Sequence, residues 1–187
     1  MGRRAIKKWR ELRSRVVFDC KWYRIGKFTF KIAPSKVIDD YYMSLFHDVA
    51  YVVAFTSEGK VIMVRQYKAG ANAITLEVPA GYLKEGEPSL VAAKRELLEE
   101  AGYRARRWRK IGMFYSNPTK ERGGKLHIYL ATDAAQVAGQ NLDDTEHIQI
   151  LLLSRQEILK KIRRNQINVA GSIASLLKAF EIRGAGR

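Results

Sequence analysis

Three glutamates, Glu96, Glu99 and Glu100, stand at positions i, i+3 and i+4 of one segment, which puts their carboxylates on one face if the segment is helical. Like charges at that spacing repel, and a helix normally avoids the arrangement or interleaves lysines. A bound divalent cation removes the repulsion, and carboxylate oxygens suit Mg²⁺ or Mn²⁺. Arg95 precedes Glu99 by four residues and can pair with its carboxylate. For three glutamates taken alone, a solvated acidic face competes with this reading.

The element that must hold them is a helix over 88–101. Pro88 suits the first helical position, where its missing N–H costs nothing. Leu90, Ala93, Leu97, Leu98 and Ala101 form an apolar stripe facing away from the glutamates, and Gly102 stands where a helix stops. Upstream, 49–56 and 61–67 read as a hairpin around a Ser-Glu-Gly-Lys turn, and Thr75–Val78 is a short strand running into Pro79-Ala80-Gly81. Further strands are expected at 109–115, 124–131 and 147–153, with helices at 155–163 and 168–180, the last cored by Ile173, Leu176, Leu177 and Phe180. Near the start, Ala5–Leu12 reads as a short helix carrying Trp9 and Leu12 on one side. Val16–Phe18, Trp22–Ile25 and Phe28–Ile32 read as strands of a small antiparallel sheet. Strands and helices mix without a regular βαβ repeat, so the fold class is α+β or a mixed α/β/α sandwich.

The chain has 187 residues, 34 Lys and Arg against 19 Asp and Glu, and a formal charge of +15. Residues 1–36 hold 12 basic and 2 acidic groups and residues 154–187 hold 8 and 2, whereas 37–153 hold 14 and 15. The middle is neutral and the two ends are basic, which admits a polyanion partner but equally a solvated surface. One cysteine, Cys20, builds neither a disulfide framework nor a CxxC site, and His47, His127 and His147 are far apart. No apolar run is long enough to span a membrane, and the basic start lacks the apolar core of a secretory signal, so a cytoplasmic location is expected.

The segment Gly81–Tyr103 resembles the signature of the Nudix hydrolases, with Gly81, Glu87, Arg95, Glu96, Leu97, Glu99, Glu100 and Gly102 at its fixed positions and Tyr103 where an aliphatic residue is usual. The resemblance implies a loop–helix–loop that cradles a metal–diphosphate complex, inside a Nudix-type α/β/α sandwich with a mixed sheet. It makes Glu96 and Glu100 metal ligands, adds Glu99 as ligand or support, and joins the carbonyl of Ala80 to them. Glu87 and Arg95 orient the loop and the helix carboxylates, and Gly81 and Gly102 shape the ends. Two or three Mg²⁺ or Mn²⁺ ions are implied. The implied reaction is hydrolysis of a nucleoside diphosphate linked to another group.

Outside that segment, Trp9–Leu12, Val64–Tyr67 and Leu76–Gly81 are similar to the ADP-ribose pyrophosphatase and nucleoside-diphosphate-sugar hydrolase branch. That branch implies an antiparallel β lobe over 1–45, exchanged across a homodimer, and a hydrolase domain over 46–187. Trp22 and Tyr23, or Phe28 and Phe30, are candidates for stacking on a base. Pro118, in Tyr115–Arg122, resembles the branch's Ser-Pro-Gly loop, with Asn117 inserted, no Gly after the proline, and Glu121 following to position substrate, metal or water. Within Leu142–Ile148, Glu146 matches a metal-bound or water-activating carboxylate and Asp144 is the alternative base. Arg65 and Lys68 are the phosphate-side cations, with Lys68 where the branch commonly has Arg. The expected activity is hydrolysis of ADP-ribose to AMP and ribose 5-phosphate. Alternatives are another diphosphate (GDP-mannose, NADH, a dinucleoside polyphosphate or an RNA 5′ end) and a non-enzymatic RNA-binding or regulatory module. An RNA partner is not favoured, and no membrane partner is expected.

Overall fold

The structure is a computed structural model that describes residues 6–184. It divides into two compact units. One comprises the chain up to His47 together with Tyr115–Gly124, and the other Asp48–Phe114 with Lys125 onward.

The larger unit is built on a mixed sheet. Strand β4 (Val49–Thr56) turns back into β5 (Val61–Lys68), β6 (Ala73–Glu77) pairs with β5, and the three-residue β7 (Ala80–Tyr82) pairs antiparallel with β4. Helix α1 (Ser89–Ala101) leads into β8 (Tyr103–Tyr115), and β10 (Lys125–Gln136) runs parallel to β4. Strand β11 (Gln149–Leu153) pairs antiparallel with β5 and precedes α2 (Arg155–Arg163) and α3 (Ala170–Gly184). The main order is β11-β5-β4-β10-β8.

Residue parity explains why helices cover both faces. Along β4, Ala50, Val52 and Ala54 share a core with Ala92, Ala93, Leu97 and Ala101 of α1. Their alternates Val53 and Phe55 meet Leu176, Ala179 and Phe180 of α3 and Ile158 of α2. The α1 face is lined with alanines, so the glutamate-bearing helix lies close against the sheet. Each large aliphatic residue buried on either face contributes roughly 1.5–3 kcal/mol to holding these layers together. Two details of α1 differ from the sequence reading. Pro88 is the N-cap, in extended conformation, one position before the first helical residue. Leu90 is exposed, and the buried stripe runs through Ala92, Ala93, Leu97 and Ala101.

The smaller unit is a four-stranded sheet of β1 (Arg10–Cys20), β2 (Tyr23–Ala33), β3 (Lys36–Phe46) and β9 (Glu121–Gly123), in that order. Its core is Phe28, Phe30 and Met43, with Tyr41 and Leu45 packed against it. The helix expected over Ala5–Leu12 is not formed in its described part: residues 6–9 are irregular and Arg10–Leu12 belong to β1. Arg10 and Glu11 pair across to Lys31 and Phe30, so the β-branched and aromatic run at 16–18 extends its pairing upstream. Ala5 lies outside the described residues. Strand β9 pairs parallel to β3, with Ser44 opposite Glu121, so a segment far downstream completes the lobe.

Candidate active site

The site is assembled where β7 passes the C-terminal half of α1. Pro79 accepts a hydrogen bond from the Val52 amide at 2.9 Å, and β7 then pairs with Val49–Tyr51, which fixes its backbone at the sheet. The Ala80 amide donates to Oε2 of Glu100 at 3.0 Å. At Gly81 the approach is closer still: a Cβ there would overlap the Glu96 carboxylate, so a larger residue would push that carboxylate out of its place beside Arg95. At the other end of the helix Gly102 is left-handed, with φ of 72°, and a Cβ would overlap the Ala138 carbonyl oxygen.

Arg95 ties the acids together. Its Nε and Nη2 donate to the two oxygens of Glu87, each at 2.9 Å, in the bidentate geometry that a guanidinium fork allows. Its Nη1 donates to Glu96 at 2.6 Å and to Glu99 at 2.9 Å, and Nη2 also reaches the Tyr82 carbonyl at 3.1 Å. These contacts hold the Glu87 carboxyl down at about 2 and raise Arg95 above its ordinary value. Glu100 has no such partner. Burial first, and then the neighbouring Glu96 carboxylate, push it up to about 8. Burial also raises Glu96, against the opposing charge of Arg95. Glu96 and Glu100 are 8% and 3% exposed, so these are buried acids rather than a solvated face. Holding two buried carboxylates side by side costs stability unless a cation offsets them.

The helix and β7 line a cleft of about 560 Å³. Glu96, Glu99, Glu100, Ala80, Lys68 and Glu146 all face it, together with Arg95 and Gly81. Glu146 arrives on the 141–147 loop and is close enough to Glu96 and Glu100 to raise both carboxyls. The loop is pinned at its base by Gln140, whose amide nitrogen donates to the Glu100 carbonyl at 2.7 Å and the Ile148 carbonyl at 3.1 Å. Inside the loop, the Glu146 amide donates to the Asp143 carbonyl and the Asp143 amide donates to Oε2 of Glu146.

Other sequence candidates lie elsewhere. Asp144 is exposed and does not line the cleft, whereas Asp143 does. Arg65 is one strand position off the required parity and opens on a separate groove with Tyr67, Ile74 and His147. Glu121 is on β9 and Trp22 on the β1–β2 turn, both in the lobe unit. Phe28 is 3% exposed and packs against Phe30 inside the lobe core, so its ring has no free face for a base. Among the cleft residues that escaped sequence reasoning are Asp143 and also Tyr51, Glu77, Lys84 and Asn141. Glu77 is 6% exposed and accepts a hydrogen bond from the Thr75 hydroxyl at 2.5 Å. An acid ending an apolar strand was the available signal. Tyr51 is pushed up to about 12, by burial and then by the Glu77 carboxylate.

The donor set is entirely hard oxygen, which fits Mg²⁺ or Mn²⁺ and not a soft metal. Among the described residues no three acid, histidine or cysteine side chains are yet gathered in a cation-binding cluster. Arg95 holds Glu96 and Glu99 instead.

The NUDIX domain family matches residues 45–170. An ADP-ribose pyrophosphatase of Bacillus subtilis is 33% identical over 117 residues, covering 62% of this chain and 63% of its own. A methanol dehydrogenase activator of Bacillus methanolicus is 32% identical over 117 residues, again 62% and 63% of the two chains. The chain thus spans about 63% of the length of these two relatives. A GDP-mannose pyrophosphatase of Cronobacter sakazakii is 30% identical over 148 residues, covering 72% and 74%. A crystal structure described as an ADP compounds hydrolase shares the fold, with a TM-score of 0.84 at 19% identity over 98% of this chain and 99% of that one.

Proposed function

Because the chain belongs to the NUDIX domain family, we propose that its acidic cleft hydrolyses the diphosphate linkage of ADP-ribose or a related nucleoside-diphosphate sugar, giving a nucleoside monophosphate and a sugar phosphate. One observation carries the reading. Arg95 binds Glu87, Glu96 and Glu99 at once while Glu100 is fixed to the Ala80 amide, so buried acids line one cleft in a geometry that a mere surface helix does not need. The B. subtilis relative supports the substrate class.

Glu96, Glu99, Glu100, Glu146 and the Ala80 carbonyl would hold two or three Mg²⁺ or Mn²⁺ ions, which neutralise diphosphate oxygens and lower the pKa of water. Lys68 and Lys84, both lining the cleft, draw the anionic substrate toward the acids. Lys68 supplies a point charge rather than a bidentate fork, so it attracts phosphate without fixing its orientation. Water attacks one phosphorus, the bridging oxygen departs with the other phosphate, and the water's proton passes to a carboxylate. We assign that carboxylate to Glu146, with Asp144 on the same loop as the alternative. The Asp143 amide occupies Oε2 of Glu146, which leaves Oε1 to take the proton. Glu121 and Trp22 are assigned to the substrate from the family resemblance.

The lobe is assigned to a homodimer contact. Strand β1 is an edge strand exposed along its whole length, which leaves a row of backbone donors and acceptors open to pairing. The substrate assignment is tested with a panel of ADP-ribose, GDP-mannose, NADH and dinucleoside polyphosphates in Mg²⁺, with products separated by chromatography. ADP-ribose is expected to have the highest kcat/KM. A tenfold preference for GDP-mannose, which the C. sakazakii relative keeps in the panel, would overturn the ADP-ribose assignment.

A further inference from the structure

The basic charge of the N-terminal region has no role in the cleft chemistry, and the lobe concentrates it on one side of a sheet. Paired residues share a face, so Arg15 opposite Lys27 and Arg10 opposite Lys31 put four cations on the side away from the Phe28–Phe30 core. Arg13, opposite Thr29, adds a fifth and donates from Nε to the Thr29 hydroxyl at 3.1 Å. Like charges directly across a strand pair stand about 5 Å apart at Cβ and destabilise the sheet. Neighbouring acids do not relieve them. Glu11 is paired with Arg122 at 2.7 Å and Asp19 with Arg24 at 3.2 Å. Among the described residues, neither Asp39 nor Asp40 forms an ion pair with these cations.

Arg13, Arg15 and Lys27 line one groove of about 250 Å³ with Ser14 and Thr29. Aromatic rings continue it. Tyr42 lies opposite Lys27 on β3, 47% exposed, with the Lys27 ammonium 5.8 Å from its ring centre. Phe18, in the next row opposite Ile25, is exposed on the same side. Cations spaced about 7 Å along a strand, beside exposed rings on the same side of the sheet, match a ligand with repeated phosphates and flat bases. We propose that this face of the lobe binds single-stranded nucleic acid, with Arg13, Arg15 and Lys27 on phosphates and Tyr42 and Phe18 under bases.

The inference is independent of the hydrolase reading, because none of these residues lines the acidic cleft. The test uses the full chain and fluorescein-labelled 15-nucleotide RNA and DNA of one sequence, with binding read by fluorescence anisotropy across a salt series. Wild-type affinity is expected to fall steeply with salt. R15Q/K27Q, which leaves the Arg13–Thr29 hydrogen bond intact, should flatten the slope of log K against log salt by about 1.4, at about 0.7 per lost phosphate contact on a single strand. R13Q/R15Q/K27Q should flatten it by about 2. Y42A should weaken binding about tenfold without changing the slope. Circular dichroism serves as the control and should match wild type in R15Q/K27Q. Tighter binding of RNA than of DNA, or equal binding of both, fits the proposal. An unchanged slope in a folded R15Q/K27Q overturns it. So does failure of the wild type to bind either oligonucleotide at low salt, or binding only to vesicles containing phosphatidylserine.

Discussion

Replacing Arg95 with alanine removes five hydrogen bonds and leaves three carboxylates without their shared cation. The side chains of Arg95, Glu87 and Glu96 are only 18%, 10% and 11% exposed, so water replaces little of what is lost. Breaking a fully buried pair by removing one partner costs about 3–5 kcal/mol. Arg95, Glu87 and Glu99 are only partly buried as whole residues, so R95A should be destabilised by about 2–4 kcal/mol at pH 7. Part of the loss has a pH signature. A carboxyl held at about 2 in the folded chain and near 4.5 in the unfolded one contributes stability above pH 4.5 that disappears as pH falls through 2. Taken at face value the Glu87 shift is worth about 3 kcal/mol, and solvent beside the 84–87 turn reduces it to about 1–2. The gap between wild type and R95A should therefore narrow by about 1–2 kcal/mol between pH 7 and pH 2.5. R95K, which keeps the charge but not the fork, should fall between the two. Urea unfolding followed by circular dichroism measures all three. An R95A stability within 1 kcal/mol of wild type at pH 7 would refute the clamp. A gap that does not change with pH would refute the share given to Glu87.

The raised Glu100 carboxyl acts in the opposite direction. Its unfolded value is 4.5 and its folded value about 8, so folding takes up a proton between them and metal-free stability falls as pH rises across that window. In EDTA, wild type should lose on the order of a few kcal/mol between pH 5 and pH 9 and E100Q much less; equal slopes in the two proteins would contradict this. In Q140L, Gln140 loses both donors, to the Glu100 and Ile148 carbonyls, and two net hydrogen bonds correspond to about 1–3 kcal/mol, read by thermal melting. Turnover should fall along with stability there, because the same amide seats the Glu146 loop; full turnover would show that the loop places itself. Sedimentation should give a mass near twice 21.4 kDa, and a strict monomer would count against the lobe-mediated dimer.

The local parts of this structure were readable in sequence. The 49–67 hairpin, the helix ending at Gly102 and the final helices follow from periodicity, turn residues and a left-handed stop. What could not be read depended on distant partners. Spacing alone leaves Glu96 and Glu100 open to being a solvated face, and only the family signature marks them as ligands. That both are buried, with Gly81 of β7 closely approaching Glu96, appears only once β7 is laid against the helix. Spacing pairs Arg95 with Glu99, and the family resemblance has Arg95 and Glu87 orient the loop and the helix carboxylates. That the two bind each other in a direct fork, eight residues apart across a turn, is visible only in the structure. The lobe shows the same limit. Residues 115–124 carry a short strand whose partner, β3, lies some eighty residues earlier, and no local pattern marks that pairing. Arg10–Leu12 has enough helical character to mislead until β2 supplies cross-strand partners.

The proposed metal-dependent diphosphate hydrolysis depends on the buried acids of α1. The most direct measurement is AMP and ribose 5-phosphate release from ADP-ribose by wild type and E100Q, with and without Mg²⁺. Wild type should turn over only with the metal, and E100Q, folded by circular dichroism, should lose at least a hundredfold in kcat, about 3 kcal/mol of transition-state stabilisation. Wild-type turnover in E100Q, or equal turnover in EDTA and in Mg²⁺, would contradict the account.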